Sequence, residues 1–181
     1  MPKSVCLFCS ASQGLPPEYI KLAEAFGTRI AQHGMRLVYG GSARGLMIAA
    51  ASAAHAGGAS VFGVMPRLLI PREGVGSSVG EIKIVDTLSE RKQLMADASD
   101  AFVAIPGGIG TLDEVAEMIT WNELAIHAKP VYLLNVFGFW DPLLEFFERG
   151  RTLGVIRPSF DKSCTVVDSL DALFAALEGT R

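Results

Sequence analysis

The sequence predicts a Rossmann-like α/β fold, a doubly wound parallel sheet of about seven strands with helices on both faces. Short β-branched or apolar runs alternate with longer stretches of helical period, which is typical of such a sheet. The 181 residues are 50% hydrophobic and 19% charged, which fits one globular domain spanning residues 1–181. Two glycine-rich segments each follow a predicted strand and open a predicted helix, where α/β sheets bind ligands.

The elements follow one another in regular order along the chain. The strand candidates are β-branched or apolar runs at residues 4–9, 36–39, 59–64, 81–85, 101–105, 130–134 and 164–167. The helix candidates show helical periodicity at residues 18–33, 45–56, 88–98, 112–126, 141–149 and 170–178. Residues 66–80, with Pro66, Pro71 and several glycines, form the one long irregular segment; it either flanks a binding site or is a mobile surface loop.

Composition excludes several functional classes. The net charge of −3 and the pI near 5.6 argue against a nucleic-acid surface, which needs clustered Lys and Arg. Apolar runs are broken by Gly, Ser or charge well before the ~20 residues that a membrane span needs. The first residues enter a strand-like run directly, so we expect no signal peptide. We therefore expect a cytoplasmic protein that binds neither membrane nor nucleic acid, so any phosphate it handles belongs to a small molecule.

Cysteine and histidine spacing gives no indication of a metal or redox centre. Cys6 and Cys9 form a C-x-x-C inside an apolar run rather than at a helix start, so buried thiols are favoured over a redox pair. Cys164 stands alone in the sequence. The histidines have no metal-ligand spacing with one another or with a cysteine: His33, His55 and His127. We expect no metal ion and no other cofactor.

The two glycine-rich segments are candidate phosphate loops. Residues 39–45 follow the second strand and residues 106–111 follow the fifth. Glycine permits φ > 0 and close approach of an anion, and a helix start offers free N–H groups. Neither loop matches the dinucleotide G-x-G-x-x-G pattern or the Gly-Lys-Ser/Thr ending of a triphosphate loop, which favours a mononucleotide. The alternative for each is a tight strand-to-helix turn whose glycines serve packing only.

Glu114 is the carboxylate candidate. Thr111-x-x-Glu114 matches the capping-box pattern, in which the glutamate binds the backbone at the helix start, and on spacing alone capping is the commoner explanation. Its position favours a functional role, because it lies one helical turn from the second glycine loop, within reach of the ribose of a nucleotide bound there.

Two adjacent cations are a second, independent indication of a bound anion. Thr87 to Glu90 is another capping-box candidate, which places Arg91 and Lys92 near the first turn of a helix, where the dipole disfavours positive charge. A bound anion would compensate, and the planar fork of arginine suits phosphate. The alternative is a solvent-exposed pair, with Arg91 bridged to Glu90 or Asp97.

Together these residues resemble the LONELY GUY proteins, the cytokinin riboside 5′-monophosphate phosphoribohydrolases. The most specific motif is P-G-G-x-G-T-x-x-E, which ends at Glu114, with Arg91-Lys92 upstream. The resemblance also covers residues 5–9, 38–41, 45–47, 90–92, 99–102, 120–121, 126–130 and 133–136.

The resemblance implies hydrolysis of AMP or N6-modified AMP to free base and ribose 5-phosphate, by a homodimer. It implies that Arg91 and Glu114 are the catalytic pair. The ligand contacts that it implies are Glu73, Arg91, Lys92, Gly108, Ile109, Gly110, Thr111, Leu112, Asp113, Glu114 and Thr120. To these we add Gly41 and Gly107, one from each glycine loop, as predicted substrate-binding residues.

The chain departs from the family pattern at three points. Leu88-Ser89 replaces the usual Met-His, Ser42 replaces a third glycine, and Ile109 replaces an aromatic residue. Arg91 and Glu114 are kept, so the departures concern base preference rather than chemistry. A lysine decarboxylase is disfavoured, because pyridoxal phosphate needs a Schiff-base lysine with a pyridinium partner. Lys92 is the one lysine near the predicted site.

These assignments suggest a mechanism and an assembly. Glu114 would stabilise positive charge on the ribose and handle the attacking water, whereas Arg91 would hold the phosphate or polarise the leaving base. The helix after the loop has two apolar faces, which indicates either a homodimer or cover by neighbouring helices. The two faces comprise Leu112, Val115, Ala116 and Ile119, and Met118, Trp121 and Ala125.

The sequence leaves two further possibilities open: a site built from two subunits, and a function without turnover. Glu114 and Thr120 lie about 120° apart on a helix, so two subunits would build each site if both residues touch nucleotide. A nucleotide or phospho-ligand carrier on the same fold, without turnover, is the alternative function.

Overall fold

Seven parallel strands form one sheet in the computed structural model, which describes residues 2–179 apart from the side chain of Asp161. The strand order is β4-β3-β2-β1-β5-β6-β7, and every neighbouring pair is parallel. The strands are β1 Ser4–Phe8, β2 Arg36–Tyr39, β3 Val61–Pro66, β4 Glu81–Val85, β5 Ala101–Ala104, β6 Val131–Leu134 and β7 Thr165–Val167. The prediction of a doubly wound parallel sheet is confirmed.

Helices connect the strands. They are α1 Pro17–Gln32, α2 Gly45–Ala56, α3 Ile70–Glu73, α4 Leu88–Asp97, α5 Ile109–Glu123, α6 Asp141–Thr152 and α7 Leu170–Gly179. Within residues 2–179, none of them has both the length and the apolar character that crossing a membrane requires.

The helices cover both faces of the sheet. On one face α1, α2 and α7 close a core that includes Phe26, Ala50 and Phe174. On the other face α4, α5 and α6 close a second core, which includes Met95 and Met118. Because strand side chains alternate between the faces, each central strand contributes to both cores.

The contact between α1 and α2 depends on a glycine. A Cβ at Gly27 would lie 2.1 Å from the carbonyl oxygen of Ala50, so only glycine allows the two helices to approach this closely.

The two cysteines of the C-x-x-C motif are buried free thiols, as predicted. Cys6 packs into the α4–α5 core and Cys9, just past β1, into the opposite one. Burial raises the pKa of both thiols well above the usual value, with a smaller contribution from the Glu114 carboxylate. They are therefore protonated, structural side chains at neutral pH.

The segment predicted to be irregular carries short helices. It contains 3₁₀ turns at Arg67–Leu69 and Ser77–Val79, with α3 between them. Pro71 is tolerated in the first turn of α3, and Gly74, with φ of +68°, ends it. The segment folds over the β2–α2 loop, where the N–H of Gly76 donates to the oxygen of Gly41 at 2.9 Å.

The strand order determines where a ligand can bind. The chain runs from β1 outwards to β4 on one side and then returns to β5 on the other side of β1. This reversal opens a crevice at the carboxyl ends of β1 and β5, which is where doubly wound sheets bind ligands.

Candidate active site

A cavity of about 560 Å³ lies at this crevice, within the range of roughly 300–1,000 Å³ that is usual for small-molecule sites. The β1–α1 loop, the α3 segment and the starts of α2, α4 and α5 surround it. Its lining comprises Cys9, Ser10, Ala11, Ser12, Gln13, Arg44, Met47, Leu69, Arg72, Glu73, Leu88, Arg91, Lys92, Gly108, Ile109, Gly110, Thr111, Asp113 and Glu114.

The second glycine loop ends one turn earlier than the sequence predicts. Helix α5 begins at Ile109 rather than at residue 112, with Gly108 in extended conformation as its N-cap and no capping side chain. Its first backbone bond runs from the N–H of Leu112 to the oxygen of Gly108, at 3.0 Å. Within residues 2–179 the N–H groups of Ile109, Gly110 and Thr111 have no partner. These free donors at the positive end of the helix dipole are suited to bind an anion.

Gly107 lets this helix start form. A Cβ at Gly107 would lie 2.1 Å from the hydroxyl oxygen of Thr111, whose side chain is buried beneath the loop. At Gly108 and Gly110 a Cβ would meet no atom within 4 Å, so these two glycines leave space open on the cavity side.

Glu114 does not cap the helix, so the capping explanation is wrong. Because α5 starts at Ile109, Glu114 falls in the second turn, and its side chain is only 6% exposed. One carboxylate oxygen lies 3.5 Å from the guanidinium of Arg91. Burial raises the pKa of Glu114 to about 7, with Arg91 acting in the opposite direction. Near neutral pH this carboxyl therefore exchanges a proton readily, as general acid–base chemistry requires.

Arg91 is buried, so the alternative of an exposed pair bridged to Glu90 or Asp97 is wrong for this residue. Its Nε donates to the oxygen of Val64 at 3.2 Å, and its Nη2 donates to the oxygen of Gly40 at 2.8 Å. The remaining nitrogen, Nη1, faces Glu114.

The first glycine loop holds this arginine in place. A Cβ at Gly40 would lie 1.9 Å from Nη2 of Arg91, and Gly41 takes a φ of +75°. The loop therefore brings a carbonyl against the guanidinium at a distance that no other residue allows at position 40. Gly41 itself packs behind Gly40 against Met65 and does not line the cavity.

Helix α4 begins where its sequence predicts. Thr87 is the N-cap, and its hydroxyl oxygen accepts from the N–H of Glu90 at 3.0 Å. The Glu90 carboxylate accepts from the N–H of Asp86 rather than from Thr87. Lys92 follows in the next turn.

The second cation of the pair, Lys92, bridges α4 to α5. Its ammonium lies 3.0 Å from Asp113 and 3.2 Å from Glu117. Lys92 and Asp113 both line the cavity, so the two helices present paired charges there.

The other predicted contact residues divide into two groups. Glu73 lines the cavity at the end of α3, and its buried Oε2 has no hydrogen-bond partner among the described residues. Leu112 packs against the α4–α5 core, and Gly107 lies behind Thr111. The exposed Thr120 donates its hydroxyl to the oxygen of Ala116 at 2.8 Å and does not line this cavity.

Sequence relatives identify the family. A family model described as "Possible lysine decarboxylase" matches residues 47–177. The chain is 48% identical, over 84% of its length and 69% of the relative's, to a probable cytokinin riboside 5′-monophosphate phosphoribohydrolase of Oryza sativa subsp. japonica. It is 46% identical, over 86% of its length and 72% of the relative's, to a cytokinin riboside 5′-monophosphate phosphoribohydrolase of Arabidopsis thaliana. The chain belongs to the LONELY GUY family.

Solved structures share the fold of this LONELY GUY protein. The molybdenum cofactor binding protein of Rippkaea orientalis aligns with a TM-score of 0.74 and 23% identity, over 97% of this chain and 95% of that one. The Moco carrier protein of Chlamydomonas reinhardtii gives 0.71 and 23%, over the same fractions. At this identity the likeness shows the fold alone.

Sequence reasoning missed part of this LONELY GUY cavity. The β1–α1 loop lines it at residues 9–13, and Leu69 and Arg72 line it from the segment after β3. The β1–α1 loop meets the start of α5 because β1 and β5 are neighbours, and no local motif carries that adjacency. The position of β1 at the reversal of strand order is the signal that could have found the loop.

Metal-ligand groups are not found in the described part of the chain. No three His, Cys, Asp or Glu side chains among residues 2–179, Asp161 aside, converge on a common point.

Proposed function

We propose that this protein hydrolyses the N-glycosidic bond of nucleoside 5′-monophosphates, AMP or N6-modified AMP, to the free base and ribose 5-phosphate. The observation that carries the proposal is the buried Glu114–Arg91 pair beside the free N–H groups of α5, in one cavity. Relatives at 46–48% identity are named for this reaction on cytokinin riboside 5′-monophosphates.

The start of α5 would anchor the 5′-phosphate. Three free N–H groups and the helix dipole supply donors and positive potential. Lys92 adds a cation on the facing helix, held in place by Asp113 and Glu117. This arrangement fixes the ribose close to Glu114, since that residue lies one turn further along the same helix.

Glu114 would carry the chemistry. As the bond between C1′ and the base breaks, the electron pair leaves with the base and positive charge develops on the ribose. A carboxylate in a low-dielectric pocket stabilises that charge. Water then bonds to C1′ and passes a proton to Glu114, which delivers it to the departing base nitrogen, so that the neutral base leaves and the carboxylate is restored.

Arg91 supports Glu114 in this scheme. Two of its three nitrogens already donate to backbone carbonyls, and the third faces the carboxylate. Its charge favours the ionised form of Glu114. The geometry therefore favours a role in tuning Glu114 over one in gripping the phosphate.

Glu73 would bind the sugar. Its buried Oε2, which has no hydrogen-bond partner within residues 2–179, can accept a hydrogen bond from a ribose hydroxyl. This oxygen would have a hydrogen-bond partner only when the nucleotide is bound. The bond would therefore contribute to the free energy of nucleotide binding.

We also propose a homodimeric assembly, with the chain acting as one domain in the cytoplasm. Val115 and Met118 are covered by the chain itself, whereas Ala116 and Ala125, assigned to apolar faces, are exposed. Leu124 and Ile126 are 62% and 61% exposed at the end of α5. This uncovered apolar end, continuous with Thr120, is suited to a second copy. Thr120 would then reach the partner's nucleotide.

Incubation of AMP with the protein tests the proposal. Adenine and ribose 5-phosphate should appear in equal amounts, and Glu114→Gln should abolish their release. The carrier alternative rests on structural neighbours under 25% identical. It would be favoured if nucleotides stabilise the protein against heat without release of base.

A further inference from the structure

The β1–α1 loop forms one wall of the cavity, at residues 9–13. Two contacts with the start of α2 fix its position. The N–H of Leu46 donates to the oxygen of Ser10 at 2.9 Å. Gly45 has a φ of +59°, and a Cβ there would lie 2.6 Å from the oxygen of Ser12, so glycine is needed for the loop to pack this closely. The loop is therefore anchored to α2 independently of any ligand.

This loop carries hydrogen-bond donors that the protein itself does not use. The hydroxyl oxygen of Ser10 accepts from the N–H of Ser12 at 3.0 Å, which leaves the hydroxyl proton free to donate. Among the described residues that hydroxyl has no acceptor, and the N–H groups of Ala11 and Gln13 have no partner. Residues 9–13 include no carboxylate. This wall therefore offers donors without negative charge, which suits an anion.

The sheet places this wall beside the start of α5. Phe8 at the end of β1 lies opposite Ala104 at the end of β5, and the N–H of Ile105 donates to the oxygen of Phe8 at 3.1 Å. The two loops that follow these strands therefore leave the sheet about 5 Å apart. The free N–H groups at the start of α5 and the donors of the β1–α1 loop border the same crevice.

The residue before Ser10 lies close to the Glu114–Arg91 pair. Burial makes the largest contribution to the raised pKa of the Cys9 thiol, and the Glu114 carboxylate raises this pKa further, whereas Arg91 lowers it. Both charged groups therefore act on Cys9 across the floor of the cavity. A ligand group that contacts Ser10 lies next to the position where the ribose must stand for Glu114 to act.

We propose that the hydroxyl of Ser10 and the N–H of Ala11 bind the 5′-phosphate of the nucleotide from the side opposite α5, so that two loops hold this group between them. The inference rests on the proposed function for the presence of a 5′-monophosphate. The phosphate oxygens accept hydrogen bonds, and α5 supplies donors on one side only. Donors on a second side fix the direction in which the ribose leaves the phosphate, and hence the position of C1′ relative to Glu114.

Calorimetric titration of the Glu114→Gln protein with AMP tests the proposal without turnover. Adding Ser10→Ala should raise the Kd for AMP roughly tenfold, the scale of a hydrogen bond to a charged group. Inorganic phosphate, measured by competition with AMP, should weaken by the same factor, because it carries the group that Ser10 binds. Ser52→Ala removes the hydroxyl of an exposed serine of α2 outside the cavity and should change neither affinity.

Two further variants separate contact with phosphate from a role in loop conformation. The aspartate in Ser10→Asp can accept from the N–H of Ser12 as serine does, but its charge repels a phosphate. We expect Ser10→Asp to bind AMP at least about tenfold more weakly than Ser10→Ala. Ser10→Thr keeps the hydroxyl and should bind AMP within about twofold of the serine protein. Circular dichroism checks the fold, and the alanine and threonine variants decide the question if the aspartate variant does not fold.

Three results would overturn the proposal. In the first, Ser10→Ala binds AMP as tightly as the serine protein. In the second, Ser10→Asp restores the affinity that Ser10→Ala loses, so Ser10 serves the loop alone. In the third, Ser10→Ala weakens AMP but not inorganic phosphate, so Ser10 contacts the nucleoside. Because binding is measured in a protein that need not turn over, absence of AMP hydrolysis by the parent protein would contradict the proposed function but not this contact.

Discussion

Arg91 connects three parts of the molecule through one guanidinium. Its bonds to Gly40 and Val64 reach the loop just after β2 and the interior of β3, and its third nitrogen faces Glu114 on α5. Sequence reasoning found both members of this pair from their motifs. It could not find the carbonyl partners, because those bonds join residues 27 and 51 positions apart.

Gly40 should prove essential for the position of Arg91. Gly40→Ala would put a Cβ 1.9 Å from Nη2 of Arg91 and displace the guanidinium from Glu114. We expect kcat/KM for AMP to fall by roughly 100-fold, the scale of a misplaced catalytic group. In an Arg91→Ala background the same substitution should cost little more. Equal losses in both backgrounds would show that Gly40 acts independently of Arg91.

The pH dependence of kcat/KM should follow the ionisation of Glu114. Its pKa is raised to about 7 by burial, so the carboxylate that the chemistry needs is lost as pH falls through that value. We expect kcat/KM for AMP, measured from about pH 5 to about pH 9, to rise with pH through an apparent pKa near 7. A profile flat below pH 7, or one that falls with rising pH across it, would contradict the role of Glu114 as a base.

The position at which α5 begins is set by a tertiary contact as well as by local sequence. The sequence predicts a helix from residue 112, after a loop that contains Gly107, Gly108 and Gly110; glycine is a poor helix former. In the structure Gly110 lies inside the first turn, and the burial of Thr111 beneath Gly107 holds that turn in place. This tertiary contact overrides local propensity. The start of α4 was predictable, because Thr87 caps it through a local bond.

Gly107→Ala should damage the phosphate site through this helix start. Its Cβ would lie 2.1 Å from the hydroxyl oxygen of Thr111, and such overpacking costs about 1–3 kcal/mol. We expect a lower Tm and a KM for AMP raised by roughly tenfold. Gly110→Ala, where a Cβ meets no protein atom within 4 Å, is the stability control and should keep its Tm. An unchanged KM in Gly107→Ala would show that the start of α5 does not contribute to phosphate binding.

At the scale of the whole molecule, strand order builds the cavity. The alternation of strands and helices is local and was predictable, and so was the presence of ligand loops at the carboxyl edge of the sheet. The neighbourhood of β1 and β5 is a long-range pairing. For this reason the β1–α1 loop was recognised as part of the cavity only in the structure.

The proposed dimer is also a property of the whole molecule. Leu124→Glu would place a charge on the uncovered apolar end of α5, where Leu124 is 62% exposed. We expect sedimentation velocity to show a dimer for the parent protein and a weakened dimer for this variant, since a buried charge opposes association. Leu153→Glu, at a leucine 66% exposed beyond α6, is the matched control and should remain dimeric. A monomeric parent protein would contradict the proposed assembly.

The proposed reaction requires that the Glu114–Arg91 pair hydrolyses a nucleotide bound at the start of α5. Chromatography of AMP incubated with the parent protein and with Glu114→Gln tests it most directly. We expect stoichiometric adenine and ribose 5-phosphate from the parent protein, and a rate at least about 100-fold lower from a folded Glu114→Gln variant. Equal rates from both proteins, or no free base from any of a panel of nucleoside monophosphates, would contradict it.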